Sequence, residues 1–322
     1  MDDLAVIIVS TNEARWLQPC LSTLFGHLGA LRADVVVADN RSTDGTRELV
    51  DREFPAARVV TCDNYGFGHA NNRALLTTNA RYVVFLNPDT EIREGSFEEL
   101  VARMDASPRF GLAGVKQITP DGRLFPTIRR FPNALRALFQ AMGSERYPFR
   151  ASWLGERELD LTRYEREVDC DWTSGSFLLA KREALESAGF FDERFFIYSE
   201  ETDLCLRIKT AGWVIRHLPI MTVLHHADKA GFNPRMAAQD AFSRKQYSRK
   251  HFSPGHRGAY LGALALGYAV RAVAPRRDRG AAQGRRSESR AALSALLGLT
   301  PPPFGSPPHV AVAPRAAPSS DG

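Results

Sequence analysis

The sequence predicts an α/β fold with a mostly parallel central sheet, and three observations support this. Short apolar, β-branched runs recur through the first third of the chain, and each ends in polar turn residues. Segments with helical spacing of apolar residues separate these runs, which is typical of parallel sheets with right-handed crossovers. A length of 322 residues, 44% of them hydrophobic, provides enough apolar surface for a large core.

Four strands are predicted before residue 90, over residues 4–9, 34–38, 58–61 and 82–86. Helices are predicted between them, the first near residues 17–25, the second over 46–54 and the third from the 64–72 block toward 79. The fourth strand ends at Asn87, because Pro88 cannot donate to a ladder and disfavours helical backbone before it. Asp89 therefore follows the carboxyl end of a buried strand, where open α/β sheets bind ligands.

The pattern is less regular after Gly95. A helix is predicted over residues 97–104, strands over 110–118, 172–180 and 213–224, and a short helix over 181–187. The Pro- and Arg-rich residues 119–148 are interpreted as a long, acceptor-facing loop. A further helix begins near Glu200, with Ser199 as its predicted cap.

Charge and cysteine content exclude several classes of protein. The net charge of +5 is modest, and basic residues dominate only after Arg235, which predicts a basic C-terminal surface and not a nucleic-acid-binding protein. The four cysteines are scattered without a Cys-x-x-Cys pair, as in proteins of a reducing cytoplasm. No basic segment precedes the first strand, so a secretory signal is not expected.

Polar clusters follow four successive strand-like runs, and in a parallel sheet they line one crevice. The clusters are Ser10-Thr11-Asn12, Asp39 to Gly45, Asn64 to Asn72 and Asn87 to Asp89. No P-loop motif is present, and no Gly-x-Gly-x-x-Gly follows Val9, which argues against those nucleotide sites. Mg²⁺ or Mn²⁺ is the predicted cofactor at Asp89, since hard cations take oxygen ligands and share substrate phosphates.

Glu201 is the predicted general base. At 3.6 residues per turn it lies near the middle of the inward stripe formed by Leu204, Cys205, Ile208 and Ala211. An inward carboxylate is costly unless it borders a polar cleft. Glu200 lies at the margin of this stripe, where it suits the helix dipole, and Asp203 points away.

These ordered blocks resemble glycosyltransferase family 2, in particular its bacterial rhamnosyltransferase-like branch. The matching blocks are Val9-Ser-Thr-Asn12, Val37-Ala-Asp39-Asn-Arg-Ser-Thr-Asp44-Gly45, Asn64-Tyr-Gly-Phe-Gly-His-Ala-Asn-Asn72, Leu86-Asn-Pro-Asp89, Ser174-Gly-Ser176, Gly189-Phe-Phe-Asp-Glu193, Phe195-Phe-Ile-Tyr-Ser-Glu-Glu-Thr-Asp-Leu-Cys-Leu-Arg207 and His225. The resemblance covers roughly residues 4–252. It implies a GT-A (Rossmann-like) fold, a nucleotide-sugar donor, a divalent cation and inversion at the anomeric carbon.

The resemblance also implies residue roles on the donor side. Asp89 matches the metal-binding carboxylate of the Asp-x-Asp motif, and His225 matches the histidine near the diphosphate and the metal. Asn87 replaces the first carboxylate and is predicted to contact the sugar. The remaining predicted donor-site residues, with the first three at the nucleoside, are Thr11, Asp39, Asp44, Asn12, Asn64, Gly68 and Asn72. Residues 227–229 depart from the family's more usual Gly- and Ser-containing stretch.

On the acceptor side, Glu201 takes the place of the catalytic Asp in the family's Glu-Asp-x-Asp motif. The predicted acceptor contacts are Trp172, Ser174, Gly175 and Glu200. Most other aromatic residues nearby are expected in the core.

Three segments are predicted: a GT-A catalytic domain (1–235), basic and amphipathic helices (236–275) and a disordered tail rich in Arg, Pro and Ala (276–322). The apolar segment 259–274 spans only about 24 Å as a helix, short of a roughly 30 Å hydrocarbon core, and it contains Arg271. A transmembrane helix is therefore not expected. Two interpretations stay open: a helix at the membrane interface, or one packed on the catalytic domain.

The predicted activity is transfer of a sugar from a nucleotide-sugar donor to a glycan or polyprenyl-linked acceptor in cell-surface polysaccharide synthesis. dTDP-rhamnose is the favoured donor and UDP-sugars are second. The predicted location is the cytoplasm, with peripheral contact at the inner membrane. Asn87 and Glu201, each in place of an Asp, leave open a nucleotide-sugar-binding or scaffold protein without catalysis. A nucleotidyltransferase is disfavoured, since its glycine-rich, basic N-terminal loop is missing.

Overall fold

The computed structural model describes residues 2–142, 154–227, 231–274 and 279–305. Its first half alternates strands and helices as predicted. The elements are β1 (Asp2–Ser10), α1 (Ala14–Gly26), β2 (Ala33–Asp39), α2 (Thr46–Glu53), β3 (Ala57–Thr61), α3 (Phe67–Leu75) and β4 (Ala80–Leu86). The end of the 119–148 loop and residues 228–229, which the sequence analysis singled out, lie outside the described residues, as does the tail beyond 305.

The second half contains the other predicted elements and some that the sequence pattern did not reveal. Its elements are β5 (Thr90–Glu94), α4 (Phe97–Asp105), β6 (Phe110–Ile118), α5 (Ala134–Ala141), β7 (Val168–Asp169), β8 (Phe177–Lys181), α6 (Arg182–Ala188), α7 (Glu200–Thr210), β9 (Val214–His225), α8 (Pro234–His251), α9 (Pro254–Val273) and α10 (Arg279–Leu297). The strand predicted over 172–180 begins only at Phe177, because residues 175–176 form a turn. β5 and α5 were not predicted.

All of these strands form one mixed sheet. The strand order is β3-β2-β1-β4-β8-β6-β9-β5, and β7 pairs with β9. β1 is parallel to β2 and β4, whereas β8 lies antiparallel between β4 and β6. β9 runs parallel to β6, and β5 pairs antiparallel with β9. This arrangement confirms the predicted α/β class with a mostly parallel central sheet.

Alternate residues of the central strands enter two cores, one on each face of the sheet. Val84 of β4 packs in the core that includes α1 and α4, and Val83 packs in the core that includes α3, α6 and α7. Both residues are fully buried, so the strand is an unbroken apolar run and not an alternating one.

A third core lies among α5, α8, α9 and α10. The structure differs here from the predicted tail, because α10 is a helix that packs on α8 and α9. Ala292 and Leu296 of α10 are buried in this core. A stripe of mainly small residues on an Arg-rich helix is a weak pattern, which is why composition alone indicated disorder.

Two cations of the basic segment of α8 form ion pairs with the body of the protein, whereas Arg249 stays exposed. Arg244 lies 3.1 Å from Glu156 and 3.0 Å from Asp240. Lys250 bonds Asp192 at 2.6 Å. These pairs hold α8 against the catalytic half of the chain. No helix in the described part of the chain is long and apolar enough to cross a bilayer.

Candidate active site

The carboxyl ends of β1, β2 and β4 lie side by side, as the sequence predicts. The strand register pairs Ser10 with Asp39 and Ile8 with Leu86. The polar clusters after these strands therefore meet at one edge of the sheet, where parallel α/β sheets form ligand sites.

Two predicted donor-site residues instead hold the loops after β1 and β2 together. Asn12 has φ 56°, accepts a 2.7 Å hydrogen bond from the Thr43 N–H and donates its own N–H to Ser42. Asp44 accepts the Ala14 N–H at 2.9 Å and the Thr46 hydroxyl at 2.6 Å. Burial opposes ionisation of Asp44, but the hydrogen bonds from Thr46 and Ala14 dominate and lower its pKa. The Asp44 carboxylate therefore bonds the first turns of α1 and α2.

Thr11 and Asp39 lie at the mouth of the same crevice. Asp39 is buried, and its carboxylate accepts the Ser42 N–H at 3.2 Å. Thr11 is exposed and accepts a 3.0 Å hydrogen bond from the Asn40 amide. This arrangement presents a buried carboxylate beside an accessible hydroxyl, which suits recognition of a nucleoside.

The Asn64–Asn72 block divides into an exposed and a buried part. Asn64 is exposed, whereas Asn72 is 1% exposed and its amide bonds the backbone of Phe191 in both directions, at 2.9 and 3.1 Å. It also donates to Glu193 at 2.9 Å. A Cβ at Gly68 would lie 3.0 Å from the Cβ of Phe191. Asn72 and Gly68 thus pack α3 against the 190–193 segment, and the donor contacts at these two residues stay predictions.

Asp89 and His225 are brought together by the pairing of β5 with β9. Thr90 pairs directly with His225, so Asp89 lies one residue before that pair. The Asp89 carboxylate is 3.6 Å from His225 Nε2, and both side chains are buried. The His226 N–H donates to the Asp89 carbonyl at 3.0 Å. Residues more than a hundred positions apart in sequence thus form one polar pair.

Asn87 lies between this pair and β4. Its N–H donates to the Ser176 carbonyl at 3.0 Å, and its carbonyl accepts the Thr90 hydroxyl at 2.7 Å. The residue is half-buried, so its backbone is fixed while part of its surface stays accessible. Such a position suits a neutral contact to substrate.

Glu200 and Glu201 begin α7 after an unusual stretch of backbone. Tyr198 and Ser199 have φ of 69° and 67°, in the left-handed region that non-glycine residues rarely adopt. The predicted cap at Ser199 is absent, since its side chain makes no capping hydrogen bond. Within the described structure, Oε2 of each glutamate is buried without a hydrogen-bond partner.

The environment of these glutamates favours their neutral forms. Burial and then the Glu201 charge raise the pKa of Glu200 well above its ordinary value. Burial also raises the pKa of Glu201. A raised carboxyl pKa is what a general base near neutral pH requires.

Asp203 is excluded as a base because its carboxylate is already saturated. It is fully buried and bonds Arg207 at 2.7 Å and both Lys250 and His251 at 2.6 Å. Burial opposes its ionisation, but the His251 hydrogen bond and the positive charges of Arg207 and Lys250 lower its pKa. It points away from the sheet, as predicted, but toward α8 and not toward solvent.

The predicted acceptor residues Gly175 and Trp172 have different surroundings, since Gly175 lies beside Glu201 and Trp172 lies in the core. A Cβ at Gly175 would lie 3.6 Å from the Cβ and Cγ of Glu201, so the Ser174-Gly175 turn borders the predicted base. Trp172 is 7% exposed, belongs to the core and donates its indole N–H to the Arg130 carbonyl at 2.9 Å. The prediction of Trp172 as an acceptor contact is therefore corrected to a core role.

Arg129 is a site residue that sequence reasoning missed. Its positive charge acts on Glu201, its guanidinium lies 5.4 Å from the Trp172 ring, and burial lowers its pKa to about 10. Its Nε is buried without a hydrogen-bond partner among the described residues. Local sequence does not distinguish Arg129 from its neighbour Arg130, because Glu201, on which its charge acts, is 72 positions away.

Comparisons with known proteins agree with this geometry. A sequence model of Glycosyl transferase family 2 matches residues 5–185. An N-acetylglucosaminyl-diphospho-decaprenol L-rhamnosyltransferase of Mycobacterium tuberculosis is 33% identical over 247 residues, which cover 72% of this chain and 79% of that protein. The Escherichia coli K12 rhamnosyltransferase WbbL is 22% identical over 236 residues, 69% of this chain and 83% of that one.

A solved structure shows the same fold. The mannosyltransferase PcManGT from Pyrobaculum calidifontis, in complex with GDP-Man and Mn²⁺, aligns with a TM-score of 0.55 at 18% identity. The alignment covers 92% of this chain and 88% of that one. The fold is thus GT-A, as the sequence resemblance implied.

The contrast between Asn72 and Asn64 gives a stability test. We expect Asn72→Ala to lower the free energy of unfolding by about 1–3 kcal/mol, because the buried Phe191 N–H loses its partner and Glu193 loses one of its hydrogen bonds. Chemical denaturation measures the change. The matched control Asn64→Ala removes an exposed amide and should change stability by less than about 0.5 kcal/mol. Equal losses in the two variants would contradict the assignment.

Proposed function

The chain belongs to glycosyltransferase family 2, and we propose that it is an inverting rhamnosyltransferase. The proposed reaction moves rhamnose from dTDP-rhamnose to a glycan or polyprenyl-linked acceptor in cell-surface polysaccharide synthesis, with UDP-sugars as the second class of donor. One observation carries the proposal: the Glu201 carboxyl has a raised pKa and a buried oxygen without a partner, beside the Ser174-Gly175 turn.

In the proposed mechanism Glu201 takes the proton from an acceptor hydroxyl. The freed oxygen attacks the anomeric carbon from the face opposite the nucleotide, and the bond to the nucleotide diphosphate breaks, so the configuration inverts. Arg129 keeps part of the carboxylate population ionised, because its charge opposes the effect of burial on Glu201. Gly175 leaves space for the acceptor beside the base, since any side chain there would contact Glu201.

The residues present fit a divalent cation with few protein ligands. Asp89 and His225 offer an oxygen and a nitrogen 3.6 Å apart, and no group of three candidate side-chain ligands occurs among the described residues. A cation that takes its other ligands from the substrate phosphates needs no further protein ligand. When bound, Mg²⁺ or Mn²⁺ would neutralise the charge that develops on the departing diphosphate. The Mn²⁺ in the archaeal mannosyltransferase structure supports this assignment.

The proposed acceptor class rests on the mycobacterial relative, whose name specifies a diphospho-decaprenol acceptor. A matching feature here is a band of exposed apolar side chains on the neighbouring helices α5 and α9. The band consists of Leu135, Leu138, Met142, Leu266, Val270 and Val273, between 38% and 73% exposed. We assign this band to peripheral contact with the bilayer that carries a lipid-linked acceptor.

Replacement of the base tests the mechanism. We expect Glu201→Gln to lower kcat by about a hundredfold to ten-thousandfold while donor affinity is retained, because the amide cannot accept the proton. In the native protein, kcat/KM should rise with pH as the raised pKa of Glu201 is passed, and this rise should disappear in the variant. Transfer assays across pH measure both effects.

Glu201→Asp is the matched control, since it keeps a carboxylate and should retain more activity than the amide variant. Near-native turnover by Glu201→Gln would contradict the base assignment. The native protein is also tested with the donor and Mn²⁺. If it binds the donor but neither transfers the sugar nor hydrolyses the donor, the scaffold alternative is favoured.

Donor and metal are tested together by thermal shift. We expect dTDP-rhamnose with Mn²⁺ to raise Tm more than UDP-sugars do, because a bound donor stabilises the folded state by mass action. In Asp89→Ala the metal-dependent part of the shift should be lost, while a smaller metal-independent shift remains. Asn87→Ala is the control and should keep the metal-dependent part. An unchanged metal response in Asp89→Ala would remove Asp89 from the metal site.

The apolar band is tested by vesicle co-sedimentation. We expect the native protein to sediment with phosphatidylglycerol-containing vesicles and Val273→Asp to bind about tenfold more weakly, because a charge replaces an inserted side chain. Leu161→Asp, at another exposed leucine outside the band, should bind as the native protein does. Equal binding by native protein and Val273→Asp would remove the membrane assignment.

A further inference from the structure

A cavity of about 730 Å³ lies among the three C-terminal helices. α8 contributes Asp240, α9 contributes Arg271 and α10 contributes Arg285, while Arg157 enters from the segment before β7. None of the motifs discussed above includes any of these residues. The cavity is large enough for a charged headgroup of several atoms.

The carboxylates that line this cavity have bonding partners, whereas its arginines form no ion pairs among the described residues. Asp240 is paired with Arg244 at 3.0 Å, and the other lining carboxylate, Glu288, accepts the Asn233 N–H at 2.8 Å. In contrast, Arg157, Arg271 and Arg285 have no ion pair within the described part of the chain. Arg271 only lies against the Tyr268 ring, 5.1 Å from its centroid. Because Arg244 neutralises Asp240, the three guanidinium groups outnumber the one remaining lining carboxylate, Glu288, and the cavity favours a multivalent anion.

The cavity is connected to the predicted base through the segment before β7. Arg157, which lines the cavity, forms a β-bridge with Arg129. Arg129 in turn acts by its charge on Glu201. A diphosphate in the cavity would therefore lie on the Arg129 side of the predicted base.

The same cavity adjoins the apolar band. Arg271 is in the last turn of α9, together with Val270 and Val273 of that band. A ligand with a sugar, a diphosphate and a lipid in that order would thus find a base, a cationic cavity and an apolar surface in the same order.

We propose that the cavity lined by Arg157, Arg271 and Arg285 binds the diphosphate of a lipid-linked acceptor sugar. The proposal rests on the proposed function for its acceptor, and it adds a binding site for the group that links sugar to lipid. The phosphate of a membrane phospholipid shares this chemistry, and the experiment separates the two sources.

The test measures binding of inorganic pyrophosphate by calorimetry in EDTA, so that no metal can link pyrophosphate to Asp89 and His225. We expect Arg271→Gln and Arg285→Gln to weaken binding about tenfold or more each, since each removes a charge-assisted contact. Arg290→Gln is the matched control on α10: it removes an exposed arginine that does not line the cavity and should bind as the native protein does. Native Tm values in all three variants would establish that they fold.

Acceptor kinetics supply the second measurement. In the two cavity variants, KM for a short-chain polyprenyl-diphospho-N-acetylglucosamine should rise about tenfold, while kcat/KM for a neutral alkyl glycoside of the same sugar and KM for the donor stay unchanged. Failure of the proposed function is recognised separately, as absence of transfer by the native protein to any acceptor.

Three results would overturn the proposal: native-like pyrophosphate affinity in both variants, an equal loss with the neutral glycoside, or loss of phosphatidylglycerol vesicle binding without loss of pyrophosphate binding. The last result would identify the cavity as a phospholipid headgroup site.

Discussion

The arrangement of the candidate active site depends on one buried ionic cluster around Asp203. This carboxylate is fully buried on α7 and is held by Arg207 of the same helix and by Lys250 and His251 at the end of α8. Removing one partner from such a cluster typically costs about 3–5 kcal/mol, because the remaining charge stays buried. Since residues two apart on a helix lie about 160° from each other, fixing Asp203 against α8 directs Glu201 to the opposite side. The C-terminal helices thus orient the proposed base, Glu201, although they lie outside the part matched by the family model.

Much of the fold and part of the site could be predicted from sequence, because those features depend on local patterns. The strands β1 to β4 are unbroken apolar runs ended by polar residues, and their register alone brings Thr11, Asp39 and Asn87 to one edge. Glu201 could be selected from helical periodicity within a single turn. In each of these cases the information lies within a few residues of the position concerned.

The features that sequence reasoning missed depend on partners distant in the chain. Asn72 and Asp44 have polar side chains of the kind that bind ligands. In the structure the Asn72 amide bonds the backbone of Phe191, and the Asp44 carboxylate accepts the Ala14 N–H. Arg129 becomes a site residue only because folding brings it beside Glu201. The sequence of α10 predicts a disordered tail because its apolar stripe consists mainly of alanine, and such a stripe is buried only when α8 and α9 are already in place.

The hydrogen bonds between the loops after β1 and β2 have a thermodynamic consequence for nucleotide recognition. Asn12 and Asp44 tie these loops together without any ligand, so most of their conformational entropy is lost during folding and not during association. A nucleotide that enters between them meets a preorganised surface, and its intrinsic binding energy is not spent on ordering backbone. Under the proposed function, Thr11 and Asp39 would discriminate between nucleobases by direct contacts, and α7 with the Ser174-Gly175 turn would select among sugars.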